Sequence, residues 1–335
     1  MAGGRHEPAP AGGADTGPGA DVTVLAPFVS LMVSIARLRD PAAAEGPEPA
    51  PPRTEVTFHP GGQGYWIASM AAELGAATRV CCPVGGRSGD LVRALLDDEF
   101  AHVVGVPAHR SNAVWISDGP DGEPATVAET PPPPLDRHEI DDLCNEMLTW
   151  GLESRVAALA GVPMPGMVEG DVYARLTADL VANGVRVVAD VSPELLDEVA
   201  RAGASVVKVS DEELVVAGFA RDRSEDAVLA AGRALRAAGA GAVLVSRAER
   251  PALALTADGT VRLLPPRLVP ANPRGAGDAM TGALTAGLAL GRGTEDALRL
   301  AAAAGTLNVS RRGLGTGLRD AIEVLARSIA VERIG

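Results

Sequence analysis

The stretch from Asn272 to Ala283 reads Asn-Pro-Arg-Gly-Ala-Gly-Asp-Ala-Met-Thr-Gly-Ala, and its residue types suit phosphoryl transfer. Three small residues, Gly275, Ala276 and Gly277, precede Asp278, and an apolar helix is predicted to follow. Such a turn presents backbone N–H groups at a helix N-terminus to an anion. Asp278, in the first helical turn, would lie beside that anion as a carboxylate base. The alternative is an ordinary glycine-rich loop with an aspartate cap, which a bare Gly-x-Gly-Asp match would favour.

The elements that must position this turn alternate in the second half of the chain. Short apolar strands between amphipathic helices predict a parallel sheet covered on both faces. Ligands of such sheets bind beyond the carboxyl ends of the strands, so the loops after Asp190, Val209 and Ser246 should meet at one cleft. The predicted strands are Val156–Ala160, Val185–Asp190, Ser205–Val209 and Ala242–Ser246. The predicted helices are Asp171–Ala182, Pro193–Ala202 with Ser192 as its cap, Asp211–Ala217, Ser224–Ala238, Gly277–Leu290 and Thr294–Val309.

Turn and cap signals predict further elements in the rest of the chain. Asp258-Gly259 predicts a hairpin between Leu253–Thr256 and Val261–Leu264. Asp136 and Glu139 predict a capping box at the start of a helix. Further predicted elements are a first core strand from Val22, strands at Ala113–Ser117 and Ala125–Ala128, and a linker-like insertion at Pro41–Arg53.

Composition limits the classes of function. The 335 residues are 47% hydrophobic and 22% charged, which suits one large α/β domain over residues 21–335 behind a disordered tail, residues 1–20. The net charge of −13 argues against nucleic-acid or anionic-membrane partners. Cys81, Cys82 and Cys144 show no Cys-x-x-Cys spacing, and Cys81 and Cys82 lie in an apolar, strand-like run, which predicts that these two are buried thiols and suits a reducing cytoplasm. The apolar run Val22–Ala36 is too short for a membrane span and is broken by Pro27.

Further motifs place the chain by resemblance. Gly61-Gly62-Gln63-Gly64-Tyr65-Trp66-Ile67-Ala68 precedes a predicted helix, as does the usual Gly-Gly-Lys-Gly-x-Asn-x-Ala of one kinase family. Arg110-Ser111-Asn112, Asp190-Val191-Ser192 and Lys208-Val209-Ser210-Asp211-Glu212-Glu213-Leu214 follow in that family's order. From about Val22 to Leu318 the chain resembles the ribokinase/PfkB carbohydrate kinases, in particular the 1-phosphofructokinase and tagatose-6-phosphate kinase branch.

The resemblance implies a three-layer α/β/α sandwich with a mainly parallel sheet and a small β-sheet lid. The lid would come from about Val29–Phe58 and Arg110–Ala128, and such lids often pair into homodimers. It implies a sugar or sugar phosphate as substrate, with ATP and Mg²⁺ as cofactors. The implied substrate positions are Ser30, Gly62, Gln63, Trp66, Arg110 and Glu129, with Arg110 reaching the phosphate of a sugar phosphate.

The resemblance also assigns the transfer residues. Asp278 matches the general base, and Gly275, Ala276 and Gly277 match the anion hole. Glu213 matches the acid that holds Mg²⁺. The positions implied on the nucleotide side are Lys208, Ser246, Gly313, Gly315 and, at the adenine pocket, Asn308. Taken singly, Lys208 could be solvated, Glu213 an exposed helix acid and Arg110 a surface charge.

The departures from the family pattern cluster on the substrate side. The family's Asn-Pro-Ala-x-Asp reads Ala26-Pro27-Phe28-Val29-Ser30 here, so Ser30 replaces an acid that binds sugar hydroxyls. Gln63 replaces a lysine, and Glu129 stands where the lid has asparagine. Trp66 replaces a sugar-binding asparagine and would either stack on an apolar or aromatic substrate or fill the pocket.

The nucleotide side departs less. The family's Ser-x-Gly-x-x-Gly turn reads Ser246-Arg247-Ala248-Glu249-Arg250-Pro251, without either glycine. Ser210 replaces the asparagine of the magnesium motif, while Arg312-Gly313-Leu314-Gly315 keeps its glycines.

Two hypotheses follow. The first is an ATP-dependent kinase that phosphorylates a hydroxyl of a sugar or sugar phosphate, or of a non-sugar acceptor, with Asp278 as base. The second is a catalytically weak kinase homologue with a binding or regulatory role. A nicotinamide dehydrogenase is a poor third, because no Gly-x-Gly-x-x-Gly follows the first strand.

Overall fold

The computed structural model describes residues 20–38, 53–100, 102–119, 125–266, 268, 274–309 and 319–334. The predicted tail and the predicted linker Pro41–Arg53 lie outside these residues, apart from Ala20 and Arg53.

The described residues form strands that alternate with helices along the chain. The strands are β1 (Val22–Leu25), β2 (Ser30–Leu38), β3 (Arg53–Gly61), β4 (Thr78–Val84), β5 (His102–Pro107), β6 (Ala113–Asp118), β7 (Ala125–Glu129), β8 (Val156–Ala160), β9 (Arg186–Asp190), β10 (Val206–Ser210), β11 (Val243–Ser246), β12 (Ala252–Thr256), β13 (Gly259–Leu264) and β14 (Ala330–Arg333). The helices are α1 (Gln63–Glu73), α2 (Gly86–Glu99), α3 (Arg137–Gly151), α4 (Gly170–Ala182), α5 (Leu196–Arg201), α6 (Asp211–Val216), α7 (Glu225–Ala238), α8 (Ala276–Ala289), α9 (Thr294–Val309) and α10 (Arg319–Ser328).

A ten-stranded sheet forms the middle layer, in the order β14-β13-β12-β11-β10-β9-β8-β1-β4-β5. The strands from β5 to β11 run parallel, and β12, β13 and β14 complete the edge in antiparallel fashion. Seven parallel strands therefore end at one edge of the sheet.

Apolar clusters cover both faces of this sheet because side chains alternate along each strand. Val24 and Cys82 belong to one buried cluster, together with residues of α1, α8 and α9. Leu25 and Cys81 belong to the other, together with residues of α3, α4 and α7. These two clusters make the predicted three-layer α/β/α architecture, with the predicted burial of both neighbouring thiols.

A separate four-stranded sheet has the order β3-β2-β6-β7. Strand β2 pairs antiparallel with β3 and parallel with β6, and β6 pairs antiparallel with β7. These strands lie within the segments expected for the lid, except that β3 continues to Gly61 and β7 to Glu129. Whether this small sheet acts as a lid remains a prediction.

Local signals in the sequence were mostly reliable. The hairpin forms around Asp258-Gly259, with Thr256 paired to Gly259, and Asp136 and Glu139 make the predicted capping box. The predicted Ser192 cap is wrong. Its hydroxyl donates to the Val162 carbonyl at 3.1 Å, and a 3₁₀ turn over Pro193–Leu195 precedes α5.

Among the described residues, no helix combines the length and apolarity that crossing a membrane requires.

Two buried polar side chains join the small sheet to the large one. Asn112 accepts from the Gly85 amide at 2.8 Å and donates to the carbonyls of Val29 and Pro83, both at 3.0 Å. The loop that carries Asn112 is fixed in turn by Glu139, whose carboxylate accepts from the backbone N–H of His109 at 2.6 Å. The capping box of α3 therefore also holds the junction beside the site.

Replacing Glu139 should test this junction. We expect Glu139→Ala to lower the free energy of unfolding by about 1–3 kcal/mol, since two backbone donors lose a charged acceptor. Asp142→Ala, at an exposed acid of the same helix, should change it by less than about 0.5 kcal/mol. Urea unfolding curves provide the measurement, and equal midpoints for the two variants would contradict this account.

Candidate active site

The site lies at the carboxyl edge of the parallel strands, as predicted. Strands β9, β10 and β11 are neighbours, and Ser210 at the end of β10 pairs with Ser246 at the end of β11. Ser246 is partly buried there. The last residue of β9, Asp190, faces Lys208 of β10 across the sheet.

The glycine-rich turn begins α8 in the way its sequence indicates. Gly275 has a φ of 74°, a left-handed conformation that suits glycine, and the helix starts at Ala276. Asp278 therefore lies in the first helical turn, where the N–H groups lack intrahelical partners. Asn308, fully buried on α9, donates its amide to the Arg274 carbonyl at 2.8 Å and supports this turn. In this position Asn308 contacts the turn, and its expected place at the adenine pocket stays a prediction.

A buried ion pair lies beneath the turn. The Lys208 Nζ is 3.1 Å from Asp190, and both side chains are at most 6% exposed. Thr281 of α8 donates its hydroxyl to Asp190 at 2.6 Å, which links the helix to the pair. The solvated alternative for Lys208 is therefore wrong. A Cβ at Gly277 would approach Lys208 Nζ to 2.6 Å, so the ammonium lies directly against the turn.

Burial and the neighbouring charges together raise the pKa values of Asp190, Lys208 and Asp278. Burial raises the pKa of the partly buried Asp278 to about 7, Asp190 raises it further, and Lys208 opposes the rise. Burial also raises the pKa of Asp190. Burial alone would lower the pKa of Lys208, but the carboxylates of Asp190, Glu213 and Asp278 outweigh it and the pKa is raised. Since three acids surround one ammonium, the cluster favours binding one more proton.

Glu213 has a structural role in the fold, and its role in holding Mg²⁺ stays a prediction. It forms a capping box at the start of α6, where its carboxylate accepts from the Ser210 amide at 2.7 Å and the Ser210 hydroxyl accepts from the Glu213 amide. A carboxylate has further lone pairs for other partners. Mg²⁺ in kinases is held by one or two carboxylates, substrate phosphates and water, so Glu213 fits that ion.

Elsewhere in the described parts of the chain, one group of possible metal ligands is close-packed, formed by His109, Asp136 and Glu139. The carboxylates of Asp136 and Glu139 already accept backbone N–H groups at the α3 capping box. This group is therefore explained as part of the junction between the sheets.

A cavity of about 310 Å³ opens between the α8 turn and the small sheet. This volume lies at the lower end of the range for ligand pockets. The cavity brings together five of the six predicted substrate positions, Ser30, Gly62, Gln63, Trp66 and Glu129, with Gly275 and Asp278. Gln63 is held by the Gly161 amide, which donates to its side-chain oxygen at 2.8 Å.

The sixth predicted substrate residue, Arg110, lies elsewhere. It lines a separate, smaller depression with Pro27, Val29 and Leu135, and its side chain is exposed. Gly313 and Gly315, expected in the nucleotide loop, and Asn272 and Pro273 of the turn lie outside the described residues.

Sequence reasoning missed several residues that the structure brings into the site. Arg274, Trp115 and Thr130 line the cavity, and Asp190 anchors Lys208. Arg274 could have been identified from the sequence, because it is a cation inside the glycine-rich turn. Trp115 could have been identified only from the strand register, in which it pairs with Met32 and lies on the same face of the sheet.

The loop after β11 contains a left-handed residue that is not a glycine. Ala248, where the pattern has its first glycine, has a φ of 51°. This left-handed conformation costs a non-glycine residue about 1–2 kcal/mol.

Ion pairs fasten the same loop to α6 and α7. Arg247 contacts Glu225 at 2.8 Å, and Arg250 pairs with Asp211, which is buried and also binds Arg223.

The two sheets with their flanking helices define a ribokinase-like fold, and comparison with known proteins identifies the family. The family described as pfkB family carbohydrate kinase matches residues 30–321, so the chain belongs to that family. This confirms the prediction made from the motifs.

Known relatives agree with this assignment. The ATP-dependent 6-phosphofructokinase isozyme 2 of Escherichia coli strain K12 is 28% identical over 265 residues, which is 78% of this chain and 84% of the relative. The D-tagatose-1-phosphate kinase of Bacillus licheniformis is 26% identical over 77% of this chain and 84% of the relative. The solved structure of phosphofructokinase-2 from Escherichia coli in complex with potassium has a TM-score of 0.77 at 25% identity, covering 92% and 99% of the two chains.

The contact between Gly277 and Lys208 generates a prediction. Gly277→Ala would force the Lys208 ammonium away from the turn, so we expect a loss of turnover of at least about tenfold without unfolding. Gly293→Ala is the matched control, because a Cβ there meets nothing within 4 Å. Steady-state rates and thermal melts of both variants check this, and a fully active Gly277→Ala protein would disprove the assigned role of the turn.

Proposed function

We propose that this chain is an ATP-dependent phosphotransferase that phosphorylates a hydroxyl of a sugar or sugar phosphate bound in the cavity. One observation carries the proposal: Asp278 lines the cavity at the N-terminus of α8, within the field of the buried Lys208. The pfkB family and the ATP-dependent relative support both the reaction type and the donor.

In this proposal Asp278 is the general base. As the acceptor oxygen forms its bond to the γ-phosphorus, the hydroxyl proton passes to the Asp278 carboxylate, and the bond to the ADP oxygen breaks. A base works best when its pKa is close to the working pH, and the pKa of about 7 at Asp278 meets that condition.

The α8 turn and Lys208 would stabilise the transferring phosphoryl group. Gly275, Ala276 and Gly277 lie where the helix N–H groups are unpaired and the helix dipole is positive. Lys208 adds a full positive charge directly beneath Gly277. Because Asp190 and Thr281 fix the ammonium and the helix to each other, little reorganisation is needed during transfer.

Glu213 is the residue that would hold Mg²⁺; it lies in the first turn of α6, just after β10, and its charge acts on Lys208. Bound there, the ion would neutralise charge on the donor phosphates. The Ser210 amide keeps the Glu213 carboxylate oriented.

A second candidate is the binding or regulatory homologue, and the donor-side loop is the observation that favours it. Ala248 replaces the first glycine of the family's Ser-x-Gly-x-x-Gly turn, and Arg250 of the same loop is held in an ion pair with Asp211. Calorimetry with ATP and Mg²⁺ distinguishes the two functions, because a kinase must bind the nucleotide when ATP is present at millimolar concentration. Nucleotide binding without any phosphotransfer would favour the second candidate.

Replacing the proposed base gives a direct test. We expect Asp278→Asn to lower kcat by roughly 10²- to 10⁴-fold on the true acceptor. For the parent enzyme, kcat/KM should rise with pH through about 7, since only the ionised carboxylate accepts a proton. A rate profile that is flat around neutral pH, or an active asparagine variant, would refute the assignment.

The control is stability as a function of pH. A carboxyl whose pKa rises from 3.8 to about 7 on folding contributes stability that is full below about pH 4 and lost as the pH rises through 7. Asparagine does not titrate, so the melting temperature of Asp278→Asn relative to the parent should increase from pH 4 to pH 7. This trend would show that the Asp278→Asn protein is folded, so that its loss of activity cannot be attributed to unfolding.

We also propose that two copies pair through the small sheet, as its apolar face suggests. Val56 and Phe58 of β3 are 48% and 50% exposed and lie on the same face, opposite Ile35 and Val33 of β2. An exposed apolar face of this kind is typical of an interface.

Charge placed on this face should prevent pairing. We expect Phe58→Glu to sediment as a monomer where the parent is a dimer. Val324→Glu, at a residue that is 65% exposed on α10, is the control and should leave the assembly unchanged. Equal assembly of the parent and Phe58→Glu would contradict pairing through the small sheet.

A further inference from the structure

The acceptor cavity has aromatic walls, and these walls bear on the class of substrate. Trp66 of α1 and Trp115 of β6 both line it, together with Phe28 and Met32. Planar apolar surfaces of this kind bind planar rings well and provide few hydrogen bonds for a polyhydroxylated chain.

Trp66 is fixed in this wall. Its ring meets that of Tyr65 edge-on, with centroids 4.5 Å apart, and lies 6.1 Å from the His59 ring. Tyr65 is itself buried, and its hydroxyl donates to the Glu99 carboxylate at 2.8 Å. The indole therefore cannot swing aside at low cost, and an acceptor must lie against it.

Arg110, the residue expected to bind an acceptor phosphate, lines the separate depression described above and not the cavity. Phe28 lines both the cavity and the depression that contains Arg110, so this residue lies at the boundary between them. In the family pattern this position is the small alanine of Asn-Pro-Ala-x-Asp. Arg110 lines the depression and is not among the residues that line the cavity.

The charges that do line the cavity also disfavour a phosphorylated acceptor. Glu129 and Asp278 are acids, and among the residues that the structure describes Arg274 is the one base that lines the cavity. Its guanidinium lies 5.7 Å from the centroid of the Trp115 ring, next to the catalytic turn. A phosphate group on the acceptor would be repelled by two carboxyl groups and attracted by one guanidinium.

We propose that the acceptor is an uncharged sugar alcohol attached to a planar ring, a nucleoside-type compound, and that Trp66 and Trp115 select it. The ring lies against the indoles, the hydroxyl reaches Asp278, and Ser30 and Glu129 accept from N–H or O–H groups. This inference rests on the proposed kinase function and narrows its substrate.

Binding can be measured without turnover because of where the tryptophans lie. The chain has three, and the third, Trp150, is outside the cavity, beneath the Arg79 guanidinium. We expect adenosine, guanosine, cytidine or uridine to quench the intrinsic fluorescence, and fructose 6-phosphate and fructose 1-phosphate to bind at least tenfold more weakly. The Trp150→Phe variant should keep the response, while Trp66→Phe and Trp115→Phe should each lose a large part of it.

Turnover with ATP and Mg²⁺ then tests selection. Trp66→Asn, which restores the family residue, should lower kcat/KM for the preferred nucleoside by roughly 5- to 150-fold, the range for loss of one stacked base, while Trp66→Phe keeps most of it. Nucleosides that are inert while a hexose phosphate turns over would overturn this inference and leave the kinase function intact. Nucleoside binding at the indoles with no phosphotransfer to any acceptor would support the inferred ligand and refute the kinase function.

Discussion

The buried contact between Lys208 and Asp190 is the interaction on which the site depends. An ammonium and a carboxylate removed from water are tolerated only with well-aligned partners, and here the second partner is Thr281 of α8. The pair therefore ties two strands of the sheet to the helix that carries Asp278. It also affects the electrostatics, because Asp190 adds to the rise that burial causes in the pKa of Asp278, while Lys208 opposes that rise. Removing either member would change both the geometry around Asp278, the proposed base, and its protonation.

Local features of the fold were predictable from the sequence because they depend on neighbours in the chain. The capping box at Asp136 and the hairpin at Asp258 need only residues within four positions, and both form. The cap at Ser192 failed because a competing partner, the Val162 carbonyl, is thirty residues away. The same limit hid the ion pair, since its two residues meet only through the register of neighbouring strands.

The candidate site was predictable in part for a similar reason. Motif order correctly named the family, and five of the six predicted substrate positions line one cavity. The motifs could not predict how the side chains pack around the cavity. Whether Arg110 reaches that cavity depends on how the residues around Phe28 pack, which no local pattern encodes. The two halves of the proposed site thus differ in kind: the turn at the start of α8 is fixed by backbone geometry, and the cavity by the packing of side chains.

The left-handed Ala248 has a consequence for how divergent motifs are interpreted. A missing glycine is usually counted as a missing turn, yet here an alanine holds the left-handed φ that glycine adopts most easily. Charge pairs lie on either side of it, from Arg247 to Glu225 and from Arg250 to Asp211. A left-handed residue therefore does not require glycine at this position, and a search that demands the glycines would overlook a chain such as this one.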